Sequence, residues 1–245
     1  MIFCKQFFRF FPVLLLCISL FLFISEHHAY GETRPVPSPT PNEIVSSLQH
    51  TYDTITSLSF TFSQSTRGQL SGRPKTGHGE AFFLRGKNGG KMRWNYTGAE
   101  PQVLVSDGET FSMYFAKLKQ MMVTPAAAMQ DDIMYSFFSG TGRLQDNFHI
   151  SDPDPTVALP SPNSGYSPRV IKLTPKKPQS QVNTIHLFVS RDHLIRRVQI
   201  LDHFDTLTVL DFADLKINSL EKLGQGPLDS LFTFTPPEGT EIIRQ

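Results

Sequence analysis

Cysteine is almost missing from this 245-residue chain: Cys4 and Cys17 are the two it has, and both fall within the first 29 residues. Beyond them no thiol remains, which excludes a disulfide framework and a cysteine-based metal centre. A surplus of charge is missing too. Past residue 29 the chain carries 21 basic and 21 acidic residues, so nothing in its balance favours a phosphate backbone, and no nucleic-acid partner is expected. Long apolar runs are also lacking. Phe10 to Ile24 is about 15 residues, short of the roughly 20 that span a bilayer as a helix. No constellation for catalysis stands out. Ser106-Asp107-Gly108 lacks the Gly-x-Ser-x-Gly frame of a nucleophile elbow. His186, His193 and His203 match no ligand spacing. Gly86 to Gly90 leads into no helix that would hold a phosphate. The chain reads as a non-enzyme with no cofactor and no metal.

The amino-terminal run is itself informative. Lys5 and Arg9 precede it, and Ser25-Glu26-His27-His28-Ala29 follows it, the layout of a secretion signal over residues 1–29. Leu16 before Cys17, with the apolar run continuing beyond, does not fit a lipidation site. The mature protein is therefore expected to be exported and soluble. A Pro-rich spacer covers 30–41, with Pro35, Pro37, Pro39 and Pro41. Residues 42–245 remain for one domain.

That domain opens on a helix signature. Thr40 caps, Pro41 takes the first helical position and Glu43 completes a capping box. Ile44, Val45, Leu48, Tyr52 and Ile55 form its apolar stripe. Strands follow. Leu58, Phe60 and Phe62 alternate with Ser59, Thr61 and Ser63, while Met92, Trp94 and Tyr96 share one side, as do Phe111, Met113 and Phe115. Large aromatics and methionines on a strand face suit an irregular, apolar partner, although plain β cores use Phe as well. Gly68 to Gly79 reads as a polar loop and Asp107-Gly108 as a tight turn. A second helix is predicted from Thr124-Pro125 to a stop at Gly140, carrying Met129, Ile133, Met134, Phe137 and Phe138. Ser151–Pro168 is a long exposed Pro-rich loop. Strands are expected at 169–173, 183–189, 194–201 and 206–215, and a last one at Leu231-Phe232-Thr233-Phe234. The sum is mainly β: roughly ten antiparallel strands with two helices, which fit a strongly curved sheet or an incomplete barrel with helices over its mouth.

In order and spacing, Leu84-Arg85-Gly86, Met92-Arg93-Trp94-Asn95-Tyr96, Val105-Ser106-Asp107-Gly108, Leu118-Lys119-Gln120, Leu201-Asp202-His203-Phe204 and Phe232-Thr233-Phe234-Thr235-Pro236-Pro237-Glu238-Gly239 resemble the LolA family of periplasmic outer-membrane lipoprotein carriers. The resemblance spans most of residues 42–243. It implies an unclosed antiparallel half-barrel of about ten or eleven strands with a helical lid over an apolar cavity, which shields lipoprotein acyl chains between the inner and outer membranes. It also implies acylated lipoproteins, an inner-membrane release transporter and an outer-membrane receptor as partners, and a monomer. The acyl-chain residues implied are Phe60, Phe62, Met92, Trp94, Phe111, Met113, Met122, Met129, Ile133, Met134 and Phe137. Arg85 stands at the family's lid-contacting arginine and is the implied latch. Gly86 replaces the family's proline, and Tyr114-Phe115-Ala116 replaces its Tyr-Asp-Pro. A related half-barrel module that senses or regulates envelope lipoproteins is the alternative.

Overall fold

The computed structural model describes residues 38–68, 72–86, 89–129, 132–157 and 167–245, with the backbone alone at Ile133 and Met134. The predicted signal segment and most of the predicted spacer, as well as the centre of the Pro-rich loop, lie outside them.

Helix α1 (Pro41–Asp53) begins where its cap predicts. The Glu43 amide donates to Thr40 Oγ1 at 3.4 Å and the Thr40 amide to Glu43 Oε2 at 2.7 Å, a reciprocal box that satisfies two free donors. Six strands follow in meander order: β1 (Ser57–Arg67), β2 (Lys75–Leu84), β3 (Lys91–Thr97), β4 (Gln102–Ser106), β5 (Thr110–Phe115) and β6 (Gln120–Pro125). After β6 come a short 3₁₀ turn (Ala126–Met129), α2 (Ile133–Ser139) and α3 (Leu144–Asn147). The chain then returns through β7 (Phe148–Ser151), β8 (Arg169–Pro175), β9 (Thr184–Val189), β10 (Ile195–Leu201) and β11 (Leu207–Ile217). A further helix, α4 (Gln225–Leu231), and β12 (Glu241–Arg244) complete it.

The twelve strands make one sheet ordered β12-β6-β5-β4-β3-β2-β1-β11-β10-β9-β8-β7. Its terminal strands do not pair, so the barrel stays open. Strand alternation sends Phe60, Phe62, Phe83, Met92, Trp94, Ile171, Leu187 and Phe212 to one inner face, where they join Leu48 and Tyr52 of α1 and Phe137 and Phe138 of α2 in a single buried cluster.

Four details differ from the sequence reading. The polar loop after β1 is shorter, since β2 begins at Lys75. The expected long second helix is split. Proline disfavours helical geometry in the residue before it, and Thr124 lies in the ladder opposite Phe111, so β6 runs on to Pro125. The helix proper restarts at Asp132, whose carboxylate accepts from the Tyr135 amide at 2.8 Å. The expected strand at Leu231–Phe234 is instead the end of α4 and a turn. Its carbonyls at Leu231 and Thr233 accept from Arg93 Nη1, each at 3.0 Å, while Phe232 is buried and Phe234 lies 5.1 Å from the Tyr114 ring on the outer face. The closing strand is β12, beyond Pro236-Pro237, and it pairs parallel to β6 (Glu241 opposite Gln120) rather than antiparallel. With β7 it raises the strand count among the described residues to twelve.

Candidate functional site

The inner face of β1, β2, β3 and β11 is a continuous array of rings. The Phe60 ring centroid lies 5.9 Å from Phe83, 5.7 Å from Trp94 and 4.5 Å from Phe212. Phe62 lies 4.7 Å from Trp94 and 4.8 Å from Tyr96. Side chains at i and i+2 of a strand project to the same side, so Phe60 with Phe62, and Trp94 with Tyr96, follow from sequence spacing alone. What local spacing does not supply is the helix that meets them. Phe138 of α2 stands 4.9 Å from Phe83, 5.8 Å from Phe60 and 6.0 Å from Phe212, and Phe137 lies 4.7 Å from Tyr52 of α1. Two adjacent phenylalanines of α2 thus occupy the apolar inner face and α1.

The predicted apolar residues divide into three sets. Phe60, Phe62, Met92, Trp94, Phe111 and Phe137 are buried in one cluster. Met113 and Met129 are half-buried against it, and Met122 lies directly across from Met113 in the β5–β6 ladder. The side chains of Ile133 and Met134 lie outside the described residues. Phe83, Phe212, Tyr52 and Phe138 belong to the same cluster without having been singled out for the site. Phe138 was visible in the helical stripe, whereas Phe212 had only its strand alternation as a signal.

Arg85, just past the end of β2, sits where α1, α2 and the sheet meet. Its Nη1 is 3.6 Å from Asp53 Oδ1, and Arg143 Nη1 is 3.8 Å from Asp53 Oδ2. Gln49 Nε2 donates to the same Asp53 Oδ1 at 3.0 Å. Burial pushes the Arg85 guanidinium below its ordinary range, and Asp53 opposes that shift. Gly140, which ends α2 with φ 81°, packs so closely that a Cβ there would stand 2.3 Å from Arg85 Nε. The other side of the α2 terminus is equally tight, with a Cβ at Gly90 falling 2.5 Å from the Ser139 carbonyl oxygen. Tyr135 adds a polar tie: its hydroxyl lies 3.3 Å from Ser106 Oγ. The arginine was legible in the sequence; Asp53, Arg143 and Gly140 as its neighbours were not.

The three histidines are not brought together. His186 lies 3.2 Å from Asp154, which is also 2.7 Å from Lys172 Nζ, while His203 is bonded to the Gln179 carbonyl. Among the described residues no group of three His, Cys, Asp or Glu side chains is placed to hold a metal ion. Among them, too, no helix is long and apolar enough to cross a membrane.

Helices lodged against the aromatic inner face of an open β sheet define a half-barrel class of fold. The family model for the outer membrane lipoprotein carrier protein LolA matches residues 53–235, and the chain belongs to that family. An outer-membrane lipoprotein carrier protein of Nitrosospira multiformis is 26% identical over 231 residues, covering 94% of this chain and 97% of the relative. Its counterpart in Methylococcus capsulatus is 29% identical over 199 residues, covering 81% and 86%. A solved LolA superfamily protein from Nitrosomonas europaea aligns over 80% of this chain and 99% of its own at 11% identity, with a TM-score of 0.39.

Proposed function

We propose that this protein is a periplasmic carrier that shields the acyl chains of lipoproteins and moves them from the inner to the outer membrane without chemical turnover. Residues 1–29 export it, 30–41 form a spacer and 42–245 do the carrying. The reading rests chiefly on α2, a seven-residue helix that presents Phe137 and Phe138 to the apolar inner face. So short a helix has little stability of its own and is held by its contacts.

The energetics favour exchange. A sixteen-carbon chain leaving water gains about 12 kcal/mol at roughly 0.8 kcal/mol per methylene. Removing one phenylalanine from a packed core costs about 3–5 kcal/mol. An acyl chain therefore has enough driving force to take the place of Phe138 and lift α2. Methionines at 92, 113, 122 and 129 suit a surface that adapts to chains of different shape. Arg85, joined to Asp53 and packed under Gly140, is the latch of the empty state, and Arg143 shares its carboxylate.

The test is to purify the exported protein from its own cells and measure bound species by native mass spectrometry. Acylated proteins of several kinds, recovered one to one, are expected. Recovery of a single, fixed, non-acylated partner would instead favour the sensing module. In a reconstituted transfer assay Arg85→Leu is expected to retain lipoprotein yet release it poorly; normal transfer by that variant removes Arg85 from the mechanism.

A further inference from the structure

The chemistry of the inner face changes along its length. On β1 the inward positions run Leu58, Phe60, Phe62 and then Gln64 and Thr66; on β3 they run Met92, Trp94 and then Tyr96. In this polar stretch the intervening strand β2 contributes Gly77 and Gly79, opposite Gln64 and Phe62. The missing side chains let Tyr96 lean across β2. A Cβ at Gly77 would lie 3.2 Å from the Tyr96 ring, and one at Gly79 would fall 1.8 Å from the Asn95 carbonyl oxygen.

The Tyr96 hydroxyl thereby reaches β1 and donates to Gln64 Oε1 at 2.7 Å. Gln64 Nε2 donates onward to Thr66 Oγ1 at 3.3 Å, and Thr66 Oγ1 lies 3.1 Å from Thr208 Oγ1 on β11. These groups are half-buried, and the Tyr96 ring is 4.8 Å from Phe62, so the polar chain begins where the aromatic array ends. Burial pushes the Tyr96 phenol up to about 12, which keeps it protonated as a donor at neutral pH. Two donors are left for a ligand: the second amide hydrogen of Gln64, which the Tyr96 hydroxyl holds in place, and the hydroxyl hydrogen of whichever threonine accepts in the Thr66–Thr208 pair. The groups are uncharged, and the nearest cation in the same row, Lys75 opposite Thr66, is exposed.

From this we infer that Tyr96, Gln64, Thr66 and Thr208 form a subsite for the ester and amide carbonyls through which acyl chains join a lipoprotein, with the tails directed along the aromatic array. The subsite rests on the carrier reading and adds an orientation: tails against Phe60 and Trp94, linkage at the Tyr96 end. It also supplies selectivity. A neutral linkage finds donors there, whereas a free fatty acid brings a carboxylate that four neutral groups do not balance.

The experiment compares two probes on the wild type, Tyr96→Phe and Gln64→Leu: a dipalmitoyl-glyceryl-cysteinyl peptide, and palmitate. Gln64→Leu removes a donor to the linkage and Tyr96→Phe removes the bond that orients it; each is expected to weaken binding of the lipopeptide by roughly three- to tenfold, with palmitate affinity unchanged. Equal losses for both probes, or none for either, overturn the subsite while leaving the carrier reading intact. A wild type that takes up neither probe overturns both. Thermal unfolding of each variant separates lost binding from lost fold, and Gln64→Leu repeats the discrimination should Tyr96→Phe fold poorly.

Discussion

Phe138→Ala separates a lid from an ordinary core helix. The Phe138 side chain is buried, with 4% of its surface exposed, and lies among the rings of Tyr52, Phe60, Phe83, Phe137 and Phe212 at 4.9–6.0 Å. Truncation at such a site costs about 3–5 kcal/mol from lost contacts and the space left behind. For a domain of this size each kcal/mol lowers Tm by about 2–4 °C, so a fall of roughly 6–20 °C is expected. A structural core residue would account for that much alone. The carrier reading adds a second effect: the vacated volume continues the aromatic array, and an acyl chain enters it without first expelling a ring. Ligand at about a hundred times its Kd stabilises by about 2.7 kcal/mol, so a tighter Kd in the variant gives a larger shift at a fixed concentration. Thermal unfolding of both proteins with and without a dipalmitoyl-cysteinyl peptide checks this. The ligand-induced rise in Tm should be greater in Phe138→Ala than in the wild type. An equal or smaller rise, beside the expected loss of intrinsic stability, would refute displacement of α2 by the chain.

Gly140→Ala places a side chain at φ 81°, where a left-handed backbone costs about 1–2 kcal/mol, and its Cβ drives Arg85 from its place beside Asp53. Hydrogen exchange across α2 is expected to quicken roughly five- to thirtyfold by mass spectrometry; unchanged exchange there rejects the latch geometry. His186 provides a pH test. Burial lowers its pKa from the ordinary 6.5 by more than the facing Asp154 carboxylate raises it, and the Lys172 ammonium beside Asp154 adds to the lowering. The unfolded chain binds this proton more readily, so stability falls as pH drops below about 6.5 and levels off beneath the depressed folded value. Asp154, held low by Lys172, withdraws its own contribution only in more acidic solution. His186→Gln should flatten the decline in Tm between pH 7.5 and 5; an unaltered slope assigns it to other groups.

Much of the framework was legible because it depends on neighbours in the chain. Alternation at Leu58–Phe62 and Met92–Tyr96 showed which residues share a face, the Thr40–Glu43 box placed the start of α1, and Gly140 marked the end of α2. Each is decided by backbone sterics within a few residues. The errors arose where a local preference met a distant partner. Pro125 looked like a helix start, but pairing with Thr110 kept it in β6. Phe232 and Phe234 alternate like a strand, yet Arg93 claims the carbonyls of that segment and Phe234 packs on the Tyr114 ring of the outer face.

By itself the sequence determined the mainly β class, the aromatic character of one sheet face and the family likeness, since composition and period-two spacing are properties of contiguous residues. Only the tertiary structure decided that Phe138 lodges among the sheet's rings, that Asp53 joins Arg85 to Arg143, and that two glycines on β2 let Tyr96 reach Gln64. These contacts link residues tens of positions apart. Which pairs meet is set by sheet order and by the burial each arrangement achieves, and no local periodicity carries that information.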